Sequence, residues 1–143
     1  MNKESIIIES VFDSEVSLVW KAITDKDMMK QWYIDVEAFV PTIGFEFEFW
    51  GGEPGEEKWK HLCVITEVIP EEKLSYSWKY QGYTGSSILS FELSKIDKNT
   101  KLKLTHSGID TFPKDVPELA IENFKAGWTQ AIHVSLKDFL EKN

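Results

Sequence analysis

Residues 45–49 read Phe45-Glu46-Phe47-Glu48-Phe49, and residues 74–80 read Leu74-Ser75-Tyr76-Ser77-Trp78-Lys79-Tyr80. In both, bulky side chains alternate with polar or small ones. Successive side chains of a β-strand point to opposite faces, so this period of two predicts strands with an aromatic face buried and the other face in water. The alternation returns at Leu89, Phe91 and Leu93, and again at Leu102, Leu104 and His106. Turns are expected at Gly51-Gly52-Glu53-Pro54-Gly55, Glu71-Glu72, Gln81-Gly82 and Asp97-Lys98-Asn99, most of them marked by Gly, Pro, Asn or Asp. A long strand over 58–69, closed by Pro70, completes a meander.

Residues 5–12 are rich in β-branched side chains and predict a first strand. Asp13 or Ser14 is the expected cap of a helix carrying Val16, Val19, Trp20 and Ile23 on one face. Thr24-Asp25 ends it and caps a second short helix over 26–32, whose apolar side is Met28, Met29 and Trp32. A loop over 107–116 contains Gly108, Phe112 and Pro113, and is read as a gate. Pro117 suits the first turn of a final helix and Glu118 its positive end. That helix is expected to reach about Leu140, with Leu119, Phe124, Trp128, Ala131, Ile132, Leu136 and Phe139 on one broad face. At 1.5 Å per residue it is about 35 Å long.

The expected order is strand, two helices, six strands, long helix: an α+β chain with one antiparallel sheet of about seven strands. Such a sheet has an apolar face to cover, and only the C-terminal helix is long enough to lie across it. A twisted sheet of this size curls around its cover. No repeat, low-complexity tract or composition shift divides the chain, so residues 1–143 form a single expected domain.

Composition narrows the function. The chain has 143 residues, 16 basic and 24 acidic, and a net charge of −8; every basic residue is Lys. Arg is the usual bidentate reader of phosphate and guanine. An acidic chain without it is not expected to bind nucleic acid or anionic membranes. The lone cysteine, Cys63, has no internal disulfide partner, which fits a cytoplasmic, reducing compartment. No apolar run is long enough to span a membrane as a helix.

Parity places Phe45, Phe47, Phe49, Tyr76, Trp78, Tyr80, Phe91, Leu102, Leu104 and His106 on the inner face of the sheet. Trp128, Phe124 and Ile132 face them from the helix, with Trp32 reaching in from the second helix. Wide aromatics under a single helix are expected to leave a cavity, since Trp and Tyr carry polar tips and pack differently from Leu, Ile and Val. No phosphate loop, dinucleotide fingerprint, nucleophile elbow or His-Glu-x-x-His motif is present. His61 and Cys63 share a face, but two ligands do not make a structural zinc site. His106, at the end of an inward-facing strand, has three readings: a hydrogen-bonded core residue, a polar handle for a ligand, or a general base.

Several segments taken together resemble a known family. They are Val19-Trp20-Lys21-Ala22-Ile23-Thr24-Asp25 with Trp32, Gly44-Phe45-Glu46-Phe47, Glu67-Val68-Ile69-Pro70 with Leu74-Ser75-Tyr76-Ser77-Trp78, residues 100–108, and Gly127-Trp128. In this order they resemble the activator of heat-shock-protein-90 ATPase homologue family, of the C-terminal-domain type, over about residues 5–141. That family lies in the START and birch-pollen-allergen-like superfamily. The resemblance implies the helix-grip fold and no fixed catalytic motif.

The expectation is therefore a binding protein for a small apolar, aromatic or lipid-like ligand, without catalysis, cofactor or metal. Its expected ligand contacts are Trp32, Phe47, Phe49, Trp78, Tyr80, Phe91, His106, Phe112, Phe124, Trp128 and Ile132. Two alternatives stand beside it: a chaperone-interacting module, and a cyclase- or hydrolase-type enzyme using His106. A monomer or weak dimer of bacterial, stress-related character is expected.

Overall fold

The computed structural model describes residues 5–51 and 59–143. The predicted turn over 51–55 therefore lies almost wholly outside the described residues. The chain runs β1 (Ile6–Phe12), α1 (Val16–Thr24), α2 (Lys26–Trp32), β2 (Glu46–Gly51), β3 (Trp59–Ile69), β4 (Lys73–Tyr80), β5 (Ser87–Ile96) and β6 (Asn99–Ser107). Two short 3-10 turns follow, Ile109–Thr111 and Pro117–Leu119, and then the C-terminal helix.

The sheet is antiparallel throughout, in the order β1-β6-β5-β4-β3-β2. It has six strands, not seven. The runs named in the sequence supply five strands after α2, namely β2 to β6, and among the described residues no sixth joins them. The long strand Trp59–Ile69 carries a bulge between Ile65 and Glu67 without ending its pairing. The alternation is obeyed closely. In β2, Phe47 and Phe49 are buried while Glu46 and Glu48 are exposed, and Glu48 meets Lys60 at 3.2 Å on the outer face. In β6, Leu102, Leu104 and His106 are fully buried.

The helical segments follow the prediction with two corrections. Asp25 does cap α2, its Oδ1 accepting from the Asp27 N–H at 2.9 Å. Neither Asp13 nor Ser14 caps α1: the cap position is Glu15, with no side-chain bond. The Ser14 carbonyl instead accepts from Thr100 Oγ1 at 2.8 Å, tying that residue to β6. The second correction concerns the final helix. Pro117–Leu119 is a separate turn, and Ala120 is extended (φ −72°, ψ 147°). The continuous helix begins at Ile121 and ends at Glu141, made of α3 (Ile121–Gln130), a π-helical segment Ala131–Leu136, and α4 (Lys137–Glu141). It is therefore shorter than predicted, about 30 Å.

The core lies between the concave sheet and this helix. Leu74, Leu89, Leu102, Leu104, Ile132 and Leu136 have no exposed surface. Helices α1 and α2 close one end, where Val19, Ala22 and Met29 are equally sealed. Trp32 Nε1 donates to the Ala22 carbonyl at 2.8 Å, satisfying one of the acceptors a helix end leaves open.

Candidate functional site

The core does not fill the whole space under the helix. Near the first half of α3 the sheet and helix part to form a cleft of about 610 Å³, within the usual size of a small-molecule site. Its floor is a cross-strand row. The register pairs Phe49 with His61 across β2 and β3, and His61 with Tyr80 across β3 and β4. Residues opposite one another on one sheet face stand side by side. Phe49 and His61 are accordingly stacked, with centroids 4.2 Å apart and planes 10° from parallel, and His61 meets Tyr80 at 4.7 Å. Trp78 stands beside the row, 5.6 Å from Phe49 and 5.6 Å from Trp128 on the helix. Tyr33, Ile34 and Asp35, just after α2, form one wall, and Leu119, Asn123, Phe124, Gly127 and Ala131 the other.

Five of the eleven residues expected at a site line this cleft: Phe49, Trp78, Tyr80, Phe124 and Trp128. The other six sit behind or beside it. Trp32 is buried and stacks on Tyr33. Phe47 packs edge-on against Tyr76 at 5.0 Å. Phe91 supports Trp128 from the sheet side, and Ile132 is sealed in the core. Phe112 stacks on Phe124 and lines a second, smaller cleft with Ile109, Val116 and Leu119. The loop that carries it is pinned: Thr111 Oγ1 accepts from the Ser86 N–H at 2.9 Å and lies within reach of the Ser86 and Gly108 carbonyls.

His106, the sixth, stands at the end of a directed hydrogen-bond chain. Trp128 Nε1 can only donate, and it lies 2.9 Å from His106 Nδ1. Nδ1 is therefore the acceptor and the ring proton sits on Nε2. Nε2–H donates to Ser87 Oγ at 2.7 Å, and Ser87 donates onward to the Trp78 carbonyl at 3.2 Å. Burial lowers the His106 pKa to about 3, so the ring is neutral at pH 7. Both ring nitrogens are engaged within the protein, and neither is offered to the cleft.

The lining residues that sequence reasoning did not place at the site include Tyr33, Trp59, His61, Asn123 and Gly127. His61 is buried, and its Nδ1–H donates to the Trp59 carbonyl at 3.1 Å. Burial lowers its pKa to about 4, partly offset by the carbonyls of Trp59 and Phe49. A Cβ at Gly51 would stand 2.5 Å from His61 Cε1, so only glycine leaves room for the ring. Tyr80 Oη accepts from Trp78 Nε1 at 2.8 Å. Tyr33 and Tyr76 join hydroxyls at 2.7 Å, and burial holds both well above the usual phenol range. Parity put His61 and Cys63 on one face without placing that face inward, and the pairing that stacks His61 on Phe49 crosses strands and has no local signal. Cys63 is buried opposite Trp78, and burial pushes its thiol well up, as for an inert core thiol. Among the described residues, no three His, Cys, Asp or Glu side chains gather as a metal-holding group, and no helix is long and apolar enough to cross a membrane.

Solved structures share this architecture. CalU16 from Micromonospora echinospora is 27% identical, with a TM-score of 0.75 over 96% of this chain and 76% of that one. Protein MLL2253 from Mesorhizobium loti is 22% identical, with a TM-score of 0.80 over 98% of each chain. DynU16, a protein of the dynemicin biosynthetic locus, is 21% identical with a TM-score of 0.78; this chain covers 48% of it. The last two likenesses are of fold. No curated protein matches the chain. The sequence pattern of the family described as Activator of Hsp90 ATPase homolog 1-like protein matches residues 13–141, and the six-stranded sheet gripping a C-terminal helix is the fold expected of it. The chain belongs to that family.

Proposed function

We propose that the chain binds a small, flat, largely apolar molecule in the cleft between the sheet and α3, without transforming it. The observation that carries this reading is Gly127. It lies within the helix, where glycine costs about 1 kcal/mol relative to alanine. It lines the cleft, and a Cβ built there would meet nothing within 4 Å. The residue is exposed where it lines the cleft, so a large side chain there would stand at the cleft's open edge. Trp78, Trp128, Tyr33 and Phe124 around it offer broad ring faces suited to planar ligands. A reading in which His106 acts as a base has no such support, because both its nitrogens are already bonded.

Native mass spectrometry of gently purified protein tests the proposal, together with equilibrium dialysis against naphthalene. The expected result is a discrete excess mass that denaturation releases, or saturable naphthalene binding. Gly127→Leu, which puts a large side chain at the cleft's open edge with a good helix former, is expected to remove either one. A clean unliganded mass together with no naphthalene binding overturns the reading, as does full binding in Gly127→Leu.

A further inference from the structure

The floor of the cleft is apolar except at one place, and there the hydrogen-bonding pattern is directional. His61 and Tyr80 face each other across β3 and β4, and only 8% of His61 and 6% of Tyr80 is exposed. His61 gives its Nδ1–H to the Trp59 carbonyl, which can only accept, so Nε2 of the neutral ring is a lone-pair acceptor. Among the described residues no N–H or O–H donor is placed against Nε2, and the Phe49 carbonyl beside the ring can only accept. No sealed side-chain nitrogen or oxygen among the described residues lacks a partner, so Nε2 is an atom that the cleft reaches. Tyr80 is its complement. Its oxygen already accepts from Trp78 Nε1 at 2.8 Å, so its own proton is available. One acceptor and one donor therefore stand on neighbouring rings 4.7 Å apart.

We propose that His61 and Tyr80 together read a single hydroxyl group on an aromatic ligand. The hydroxyl oxygen accepts from Tyr80 Oη–H, and its proton goes to His61 Nε2. This inference rests on the binding reading above and narrows its ligand class. A ketone or ether satisfies Tyr80 alone and leaves His61 desolvated without a partner. An ammonium group has no lone pair for Tyr80. A carboxylate has no proton for His61, and it meets Asp35 with no lysine among the described lining residues. Only a group that donates and accepts through one atom satisfies both side chains, and a buried polar group left unpaired is what makes such sites discriminate.

The test is equilibrium dialysis of the whole chain against naphthalene, 2-methoxynaphthalene and 2-naphthol at pH 7. The added hydrogen bond to His61 should make 2-naphthol bind about tenfold tighter than 2-methoxynaphthalene. His61→Phe should remove that preference, and Tyr80→Phe should weaken 2-naphthol and 2-methoxynaphthalene together, each measured against naphthalene binding by the same variant. The wild-type comparison needs no variant, so a variant that fails to fold does not rescue the idea. Nitrogen-15 NMR adds an independent reading: 2-naphthol should move the His61 Nε2 signal, and 2-methoxynaphthalene should not. Naphthalene binding with no preference for the hydroxyl overturns this inference and leaves the binding reading standing. Absence of binding by all three probes overturns both. A preference that survives in His61→Phe, or 2-naphthol binding undiminished relative to naphthalene in Tyr80→Phe, also overturns the assignment to His61 and Tyr80.

Discussion

Ser87→Ala is the substitution whose effect the structure specifies most narrowly. Ser87 and His106 are 1% and 0% exposed, so water does not replace a lost partner. Trp128 Nε1 donates to His106 Nδ1 at 2.9 Å, which holds the ring proton on Nε2. Removing the Ser87 hydroxyl strands that N–H, and the ring cannot change tautomer without breaking the Trp128 bond. An unsatisfied buried donor costs about 1–3 kcal/mol, so a loss of about 2 kcal/mol is expected. For a domain of this size that is a fall in Tm of about 4–8 °C. Urea denaturation of the wild type, Ser87→Ala, His106→Leu and the double variant separates the causes. In the Leu background there is no N–H to strand, and Ser87→Ala should cost under about 0.5 kcal/mol. Equal costs in both backgrounds would refute the reasoning, since the loss would then be one of packing alone. A nitrogen-15 spectrum with the proton on Nδ1 would refute the direction of the chain itself.

Three further outcomes are expected. Burial depresses the pKa of His61 to about 4 and that of His106 to about 3, so below pH 6.5 the unfolded chain binds protons that the folded chain refuses. Stability from these two groups is therefore complete above pH 6.5 and falls by about 3 kcal/mol per pH unit between roughly pH 6 and 4; His106→Leu should roughly halve that slope, and an unchanged slope would count against it. Gly51→Ala should destabilise by about 1–3 kcal/mol, because its Cβ would stand 2.5 Å from the His61 ring; a neutral melting curve would show that the ring can move away. Gly127→Ala should raise stability by about 1 kcal/mol, because the new methyl meets open space in a helix interior; a loss of stability would mean the cleft is smaller than described.

Much of the fold was legible because strand periodicity is a local property. Phe47, Phe49, Trp78, Tyr80, Phe91 and His106 all face inward as their parity requires. The cap at Asp25 was equally local, since an aspartate side chain reaches an N–H two residues on. The cap of α1 was not, because the Ser14 backbone is held by Thr100 from the far end of the chain. The π-helical segment Ala131–Leu136 left no mark in an apolar pattern that suits an ordinary helix equally well. The same divide runs through the site. Of the residues expected at a site, Phe49, Trp78, Tyr80, Phe124 and Trp128 line the cleft, whereas the position of His61 among them was not foreseen.

By itself the sequence determined which side chains share a face, that one long helix must cover the apolar side of one sheet, and that the covered space is aromatic. These follow from a period of two or of 3.6 residues, which the chain carries whatever its neighbours are. Only the tertiary structure decided which strand lies beside which, and in what register. That register sets His61 between Phe49 and Tyr80 and brings Trp128 and Ser87 to the two nitrogens of His106. A histidine's role depends on which donor and acceptor each nitrogen meets. Those partners come from strands and a helix distant along the chain, so one histidine became a closed link in the core while the other kept a nitrogen open to the cleft.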